Sequence, residues 1–181
     1  MDFDEFNSKR PSHAVCLLRH DVDYMPEWST NLGEIERARD IRATYFFQVG
    51  AETYNLRDSR NVKAVRALHE MGHVVGLHFD IEWSDESTLA ETASRSVKEK
   101  ALFEAITGVA ARDIVSFHNP HRFQDRILDQ TIPGLRHTYE RCYFSQIKYL
   151  SDSQGWQEDC MCRVFAGSRY QAIQLLTHPY I

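Results

Sequence analysis

Three features are missing from this 181-residue sequence, and each absence excludes a class of protein. There is no basic cluster: 21 Lys and Arg stand against 26 Asp and Glu, so the formal net charge is -5 and nucleic acid is not an expected partner. No apolar run approaches the ~20 residues of a membrane-spanning helix. The first residues are acidic and show no secretory signal, so we expect a cytoplasmic protein without a membrane-spanning segment.

A cysteine framework is missing as well, because the sequence has only four cysteines. Cys16 lies in an apolar run and is expected to be a buried small side chain. One residue separates Cys160 from Cys162, whereas thiolate zinc sites typically use a gap of two. We therefore expect reduced thiols. A zinc knuckle made of Cys142, Cys160, Cys162 and His137 is the less favoured alternative.

What the sequence does contain is a regular alternation. Apolar, β-branched runs alternate with segments of helical periodicity, which is typical of βαβ units around a parallel sheet. Strands are predicted at 14–19, 43–49, 73–79, 113–118 and 173–177, and helices at 30–41, 61–71 and 84–108. The last of these helices is expected to begin at a cap formed by Ser84 or Asp85 and to end at Gly108. Proline and glycine divide 119–167 into loops and short pieces. The length predicts one α/β domain over residues 1–181.

Polar residues of metal-binding type follow the predicted strands. The strand ends supply His20, Asp21, Asp23, His78, Asp80, His118 and His178. Because parallel strands all end at one edge of a sheet, we expect these residues to converge. Asp21 and Asp23 are two apart on an extended chain, so both point to one side and repel each other unless a cation is present. One carboxylate would bind the cation, and the other would remain free for proton transfer.

A catalytic metal site needs about three protein ligands and an open position for water. Asp23, His78 and His118 would provide them, and carboxylate with imidazole suits zinc, iron, cobalt, nickel or manganese. We expect a divalent metal, zinc before the others. His20 and His73 are expected to be hydrogen-bonded structural residues. Alternatively, the two aspartates only cap a loop, since Asp favours turns.

Five motifs carry a family resemblance. They are LLRHDVD at 17–23, ATYFFQVG at 43–50, LHEMGHVVGLHFD at 68–80, VSFHNPH at 115–121 and LLTHP at 175–179. In order and spacing they resemble the polysaccharide deacetylases, carbohydrate esterase family 4, and among these the variant branch associated with surface-polysaccharide and O-antigen biosynthesis. The resemblance implies a distorted (β/α) barrel with fewer than eight strands. It also implies a carbohydrate substrate, from which metal-bound water removes an N- or O-acetyl group.

The resemblance implies roles for individual residues. By position it assigns the general base to Asp21, a metal ligand to Asp23, the first metal histidine to His78 and the general acid to His178. The segment YLSDSQGW resembles the family's aspartate and tryptophan motif, so Asp152 and Trp156 are expected to line the site. Aromatic residues near the strand ends are candidates for stacking on a sugar ring, with Trp83 favoured among Tyr24, Trp28, Phe79, Trp83 and Phe117.

The sequence also departs from the family pattern. The family's second metal histidine follows the first by four residues, and that position is Glu82 here. His118 is the expected third ligand because it ends a strand; Glu82 is the runner-up, and Asp80 is expected to point away if the strand stays extended. The changed ligand favours, as an alternative, a non-catalytic carbohydrate-binding relative. A phosphoesterase is less favoured, because only Arg19 and Arg122 lie near the motifs.

Overall fold

Seven parallel strands form one sheet in the computed structural model, which describes residues 1–8, 12–81, 88–120, 132–153, 155–156, 161–167 and 169–179. In chain order the elements are α1 (Phe3–Ser8), β1 (Val15–Val22), α2 (Pro26–Arg37), β2 (Thr44–Phe47), α3 (Ser59–Glu70), β3 (Val74–Asp80), α4 (Leu89–Thr107), β4 (Ile114–His118), β5 (Arg136–His137), α5 (Arg141–Phe144), β6 (Lys148–Ser151), α6 (Met161–Ala166) and β7 (Ala172–Thr177). The strand order is β5-β4-β3-β2-β1-β7-β6.

The sheet curls until its two edges face each other. Gln174 in β7 donates from Nε2 to the carbonyl oxygens of Thr138, at 3.0 Å, and Tyr143, at 2.8 Å. The ring centroids of Tyr139, just after β5, and Tyr149, in β6, lie 6.4 Å apart. This half-barrel confirms the predicted distorted (β/α) barrel with fewer than eight strands.

Side chains alternate between two layers because successive residues of a strand point to opposite faces. The outer layer packs the sheet against α3 and α4, through residues that include Val22, Tyr45, Phe47, Leu68 and Phe103. The inner layer fills the barrel. At the end where the strands begin, it consists of Phe3, Leu17, Phe46, Ile114 and Tyr143. A parallel barrel of this kind leaves its opposite end, where the strands finish, for polar groups.

The helix α1 was not predicted, since six residues are too few to show a helical period. Its Phe3 is 2% exposed and makes edge contacts with the rings of Tyr143, at a centroid distance of 5.1 Å, and Phe46, at 6.3 Å. The first helix therefore closes the barrel at the end opposite the polar strand tips.

The prediction for the start of α4 was wrong. The expected caps, Ser84 and Asp85, lie outside the described residues, and the helix begins after Thr88. Thr88 and Glu91 form a capping box, in which each side chain accepts a hydrogen bond from the other's backbone N–H. This reciprocal pair satisfies two helix-end donors, which fixes the start at Leu89. The predicted end at Gly108 is confirmed: its φ of 70° is the left-handed conformation that glycine adopts readily.

The predicted strands are present, and the described part of the chain between 119 and 167 consists of loops and short pieces, as expected, although the sequence did not show which pieces are strands or helices. This part forms β5, α5, β6 and α6, none longer than six residues. Elements this short carry too few residues for a periodic pattern. Among the described helices, none combines the length and apolar character that crossing a membrane requires.

We predict that Phe3→Ala lowers the free energy of unfolding by about 3 kcal/mol, because it leaves a cavity at the closed end of the barrel. Phe6→Ala is the matched control from the same helix, where the ring is only partly buried, and it should cost clearly less. Denaturant unfolding of the two variants measures the difference. Equal losses would show that Phe3 does not close the barrel.

Candidate metal and catalytic site

Three side-chain atoms meet at the open end of the barrel. The Oδ1 atom of Asp23 lies 3.1 Å from Nε2 of His78 and 3.2 Å from Nδ1 of His118, and these two nitrogens are 3.2 Å apart. Asp23 follows β1, His78 lies near the end of β3 and His118 ends β4, and the three form a group of described residues that could hold a metal ion. The structure thus brings together the three residues predicted as metal ligands.

The size of this triangle fits a transition-metal cation. Ligands at bond lengths of about 2.0–2.2 Å are separated by about 2.8–3.6 Å when the angles between them are octahedral or tetrahedral. Each of the three atoms can present a lone pair, and three lone pairs that face one point need a proton or a cation between them. The three residues therefore fit a divalent metal in both spacing and chemistry.

The electrostatics of the site favour a charged Asp23. Burial opposes the charge, but hydrogen bonds from His118 and His78 outweigh it, so the pKa of Asp23 lies well below its usual value. The same contact with Asp23 raises the pKa of His118 against the effect of its burial. A fixed negative charge beside two imidazoles is an environment that would stabilise a bound cation.

His178 lies beside this triangle and is oriented by Asp152. Nδ1 of His178 is 2.6 Å from Oδ1 of Asp152, and its backbone N–H donates to Oδ2 at 2.7 Å. Its Nε2 atom consequently faces the site, 3.7 Å from Oδ2 of Asp23. Burial lowers the pKa of His178, but the hydrogen bond to Asp152 and the charge of Asp21 outweigh it, and the net shift is upward. Asp152 thus belongs to the site, whereas Trp156 is exposed.

Asp21 lies one layer deeper in the barrel than Asp23. Arg19 donates from Nε to Oδ1, at 2.9 Å, and from a terminal nitrogen to Oδ2, at 2.6 Å. The hydroxyl of Ser116 also donates to Oδ2, at 2.8 Å, and Nδ1 of His78 lies 3.8 Å from the same oxygen. Although burial opposes the charge, Arg19 holds the pKa of Asp21 below its usual value. Asp21 is therefore an ionised carboxylate directly beneath the ligand triangle.

Arg19 itself is fully buried and contacts three further elements. Its guanidinium reaches the hydroxyl of Tyr139 at 3.0 Å and Oε1 of Gln174 at 3.3 Å, and it also donates to Ser116. It lies over the ring of Tyr139, 4.7 Å from the centroid. From the sequence, Arg19 was expected only as a cation near the motifs. The signal for its role was its position two residues before Asp21, which places both side chains on the inward face of β1.

Gln48 is a site residue that the sequence analysis missed. It follows β2 directly, and its Nε2 donates to Oδ1 of Asp23 at 2.9 Å and lies 3.5 Å from Nδ1 of His118. Thr53 donates from its hydroxyl to the backbone carbonyl of Asp23. The sequence did carry a signal for Gln48. It stands two positions after Phe46, which faces the inside of the barrel, and residues two apart on a strand point to the same face.

Both histidines expected to be structural are confirmed as such. His20 contacts Oε1 of Glu36 at 2.8 Å and the Thr177 hydroxyl at 2.7 Å, on the helix side of β1. Nε2 of His73 lies 3.0 Å from the carbonyl oxygen of Gly33.

The expectation for Asp80 rested on wrong geometry. Because β3 continues through Asp80, the two-residue period places it on the same face as His78, not on the opposite face. It is exposed at the strand end, and the described cluster of Asp23, His78 and His118 does not include it.

Two of the candidate stacking residues are core residues instead. Phe79 and Phe117 point to the outer face of the sheet, away from the inside of the barrel, and both are buried in the core there. Tyr24 and Trp28 are exposed, at 46% and 47%. Glu82, Trp83, Arg122 and Cys160 lie outside the described residues. Cys16, Cys142 and Cys162 are free thiols, as expected.

Comparison with known proteins shows that solved structures share the fold of this chain. The sequence matches no protein-family model and no curated protein. The structure is similar to the catalytic domain of a peptidoglycan N-acetylglucosamine deacetylase from Eubacterium rectale, with a TM-score of 0.58, 14% identity, and coverage of 96% of this chain and 80% of that one. It is also similar to a CE4-family pseudoenzyme from Bacillus anthracis, with a TM-score of 0.57, 15% identity, and coverage of 94% and 56%.

A mutant of a CE4-family pseudoenzyme with restored enzymatic activity gives a TM-score of 0.56 at 15% identity. The present chain spans 58% of that protein's length and 56% of the pseudoenzyme's. The fold of this chain is therefore the distorted (β/α) barrel that CE4 deacetylases and CE4 pseudoenzymes share.

The buried pair of Arg19 and Asp21 gives a stability prediction. Arg19→Met should lower the free energy of unfolding by about 3–5 kcal/mol, because it leaves the Asp21 carboxylate buried without its counter-charge. The double variant Arg19→Met with Asp21→Leu should recover a large part of that loss. Denaturant unfolding of the metal-free protein measures both.

Arg60→Met is the control, since Arg60 pairs with Asp58 at the surface and its loss should have little effect. If the losses of Arg19→Met and Asp21→Leu simply add in the double variant, the two side chains do not act as a pair.

Proposed function

We propose that this protein is a metal-dependent hydrolase that removes an acetyl group from a sugar or a polysaccharide precursor. The observation that carries the proposal is the triangle of Asp23, His78 and His118, with Nε2 of His178 3.7 Å from Asp23. The fold that the chain shares with CE4 deacetylases supports the same reaction class. The motifs RHDVD and HFD favour a surface-polysaccharide substrate.

In this proposal the three residues hold a divalent cation, zinc before other metals. Such a cation acts as a Lewis acid and lowers the pKa of bound water toward neutrality. The neutral imidazoles and the single carboxylate leave one positive charge in excess on a divalent ion. The site is therefore suited to an electron-rich carbonyl oxygen.

The other side chains have roles in proton transfer. Asp21 is the proposed general base, and Arg19 keeps it ionised and fixed beneath the triangle. His178 is the proposed general acid. Asp152 holds its Nδ1, so the proton available to the departing sugar nitrogen or oxygen is the one on Nε2, which faces the site.

A second candidate is a non-catalytic carbohydrate-binding protein that has kept the barrel. Two observations favour it: Glu82 stands where the family has its second metal histidine, and one protein of similar fold is described as a pseudoenzyme. Both candidates need an accessible site, and His118, with 24% of its side chain exposed, provides an opening to solvent.

Metal content is the first test. The purified protein should contain about one divalent metal ion per chain, and Asp23→Ala, His78→Ala and His118→Ala should each remove it, because three ligands are the minimum for such a site. Elemental analysis after gel filtration measures this. His69→Ala, at an exposed position in α3, is the control and should keep the metal. Retention of metal in all three ligand variants would contradict the proposed site.

Acetate release separates the two candidate functions. The metal-loaded protein should release acetate from N- or O-acetylated sugars, and Asp21→Asn and His178→Ala should each reduce the rate by about 100-fold or more while retaining metal. Asp113→Asn, at a surface ion pair with Lys100, is the control and should retain full activity. Sugar binding without acetate release, over a panel of acetylated sugars, would favour the binding protein instead.

A further inference from the structure

Four neighbouring strands bring polar side chains together at the open end of the barrel. These are Asp23 after β1, Gln48 after β2, His78 in β3 and His118 in β4. The register pairs Val22 with Phe47 and Phe47 with Leu77, so the next residues, Asp23, Gln48 and His78, lie side by side. Gln48 thus occupies a position in this row of proposed ligands, and the proposed mechanism gives it no role.

Gln48 is held in place from behind. The side chain is 6% exposed, and the backbone N–H donates to the hydroxyl of Tyr54 at 2.7 Å. That hydroxyl donates in turn to the carbonyl oxygen of Val22 at 3.0 Å. One tyrosine therefore joins the ends of β1 and β2, and it fixes the distance between Gln48 and Asp23.

The two oxygens of Asp23 have different surroundings. Oδ1 faces both imidazoles and accepts a hydrogen bond from Nε2 of Gln48 at 2.9 Å. Oδ2 faces His178, whose Nε2 lies 3.7 Å away. The amide of Gln48 donates to Oδ1, and it keeps this hydrogen bond when the two imidazoles give their lone pairs to a cation and no longer donate to Oδ1.

We propose that Gln48 is a positioning residue of the cation site, whose amide fixes Oδ1 of Asp23 toward the cation and leaves Oδ2 for His178. This inference rests on one part of the proposed function, namely that a cation binds between Asp23, His78 and His118. Without the amide, the carboxylate can turn and present both oxygens to the cation, and His178 then loses the group that it faces. Partners of metal ligands commonly change metal affinity by 10–100-fold.

The test compares cobalt(II) binding by the wild-type protein and Gln48→Met, which keeps the length of the side chain and removes the donor. We expect Gln48→Met to bind cobalt about 10-fold more weakly or worse, measured by competition with a chelator. We also expect a weaker visible absorption band per cobalt, because a second carboxylate oxygen raises the coordination number. Gln146→Met, at an exposed position after α5, is the control and should match the wild type in both measurements.

Gln48→Ser is the second variant. Its side chain is shorter than that of glutamine and fits in the same buried space, so it should show the same losses if Gln48→Met does not fold. Wild-type affinity together with an unchanged spectrum in the folded variant would overturn the inference and leave the proposed function standing. The expected changes, in a protein that releases no acetate, would support the inference and count against the proposed function. A wild-type protein that binds no cobalt would overturn both.

Discussion

The buried guanidinium of Arg19 is the interaction on which the rest of this structure depends. It joins four parts of the barrel: its own strand β1 through Asp21, β4 through Ser116, the segment after β5 through Tyr139, and β7 through Gln174. A charge with no exposed surface is tolerated only where its donors find acceptors. The strands must therefore approach one another closely around it, and this closeness brings their polar ends to one point.

The interior of the barrel is consequently built in layers of increasing polarity. Phe3 and Leu17 close one end, Arg19 and Asp21 form a neutral buried pair in the middle, and Asp23 with the two imidazoles lies at the open end. Along β1 the inward-facing residues Leu17, Arg19, Asp21 and Asp23 follow one another at the two-residue period of a strand. The same period links the stability of the barrel to the geometry of its site, because Asp21 lies between Arg19 below and His78 above.

Much of this arrangement was predictable from the sequence, and the reason is physical. Parallel strands end at one edge, so the residues of RHDVD, LHFD and VSFH had to converge once the alternating pattern was recognised, and the triangle of Asp23, His78 and His118 followed. The roles of the inward-facing Arg19 and Gln48 were not predicted, because the face on which a polar residue lies does not reveal its partners. Short elements such as β5 and β6 also carry too few residues to show a period. In the structure they are held by pairing with β4 and β7, which lie far from them in the sequence or carry no turn signal toward them.

A cation bound between Asp23, His78 and His118 is the central proposal, and crystallography with anomalous scattering tests it most directly. Data collected at the absorption edge of the bound metal should show one peak about 2.0–2.3 Å from Oδ1 of Asp23, Nε2 of His78 and Nδ1 of His118. A metal-supplemented crystal without a peak at this position, or with its peak elsewhere on the protein, would contradict the account.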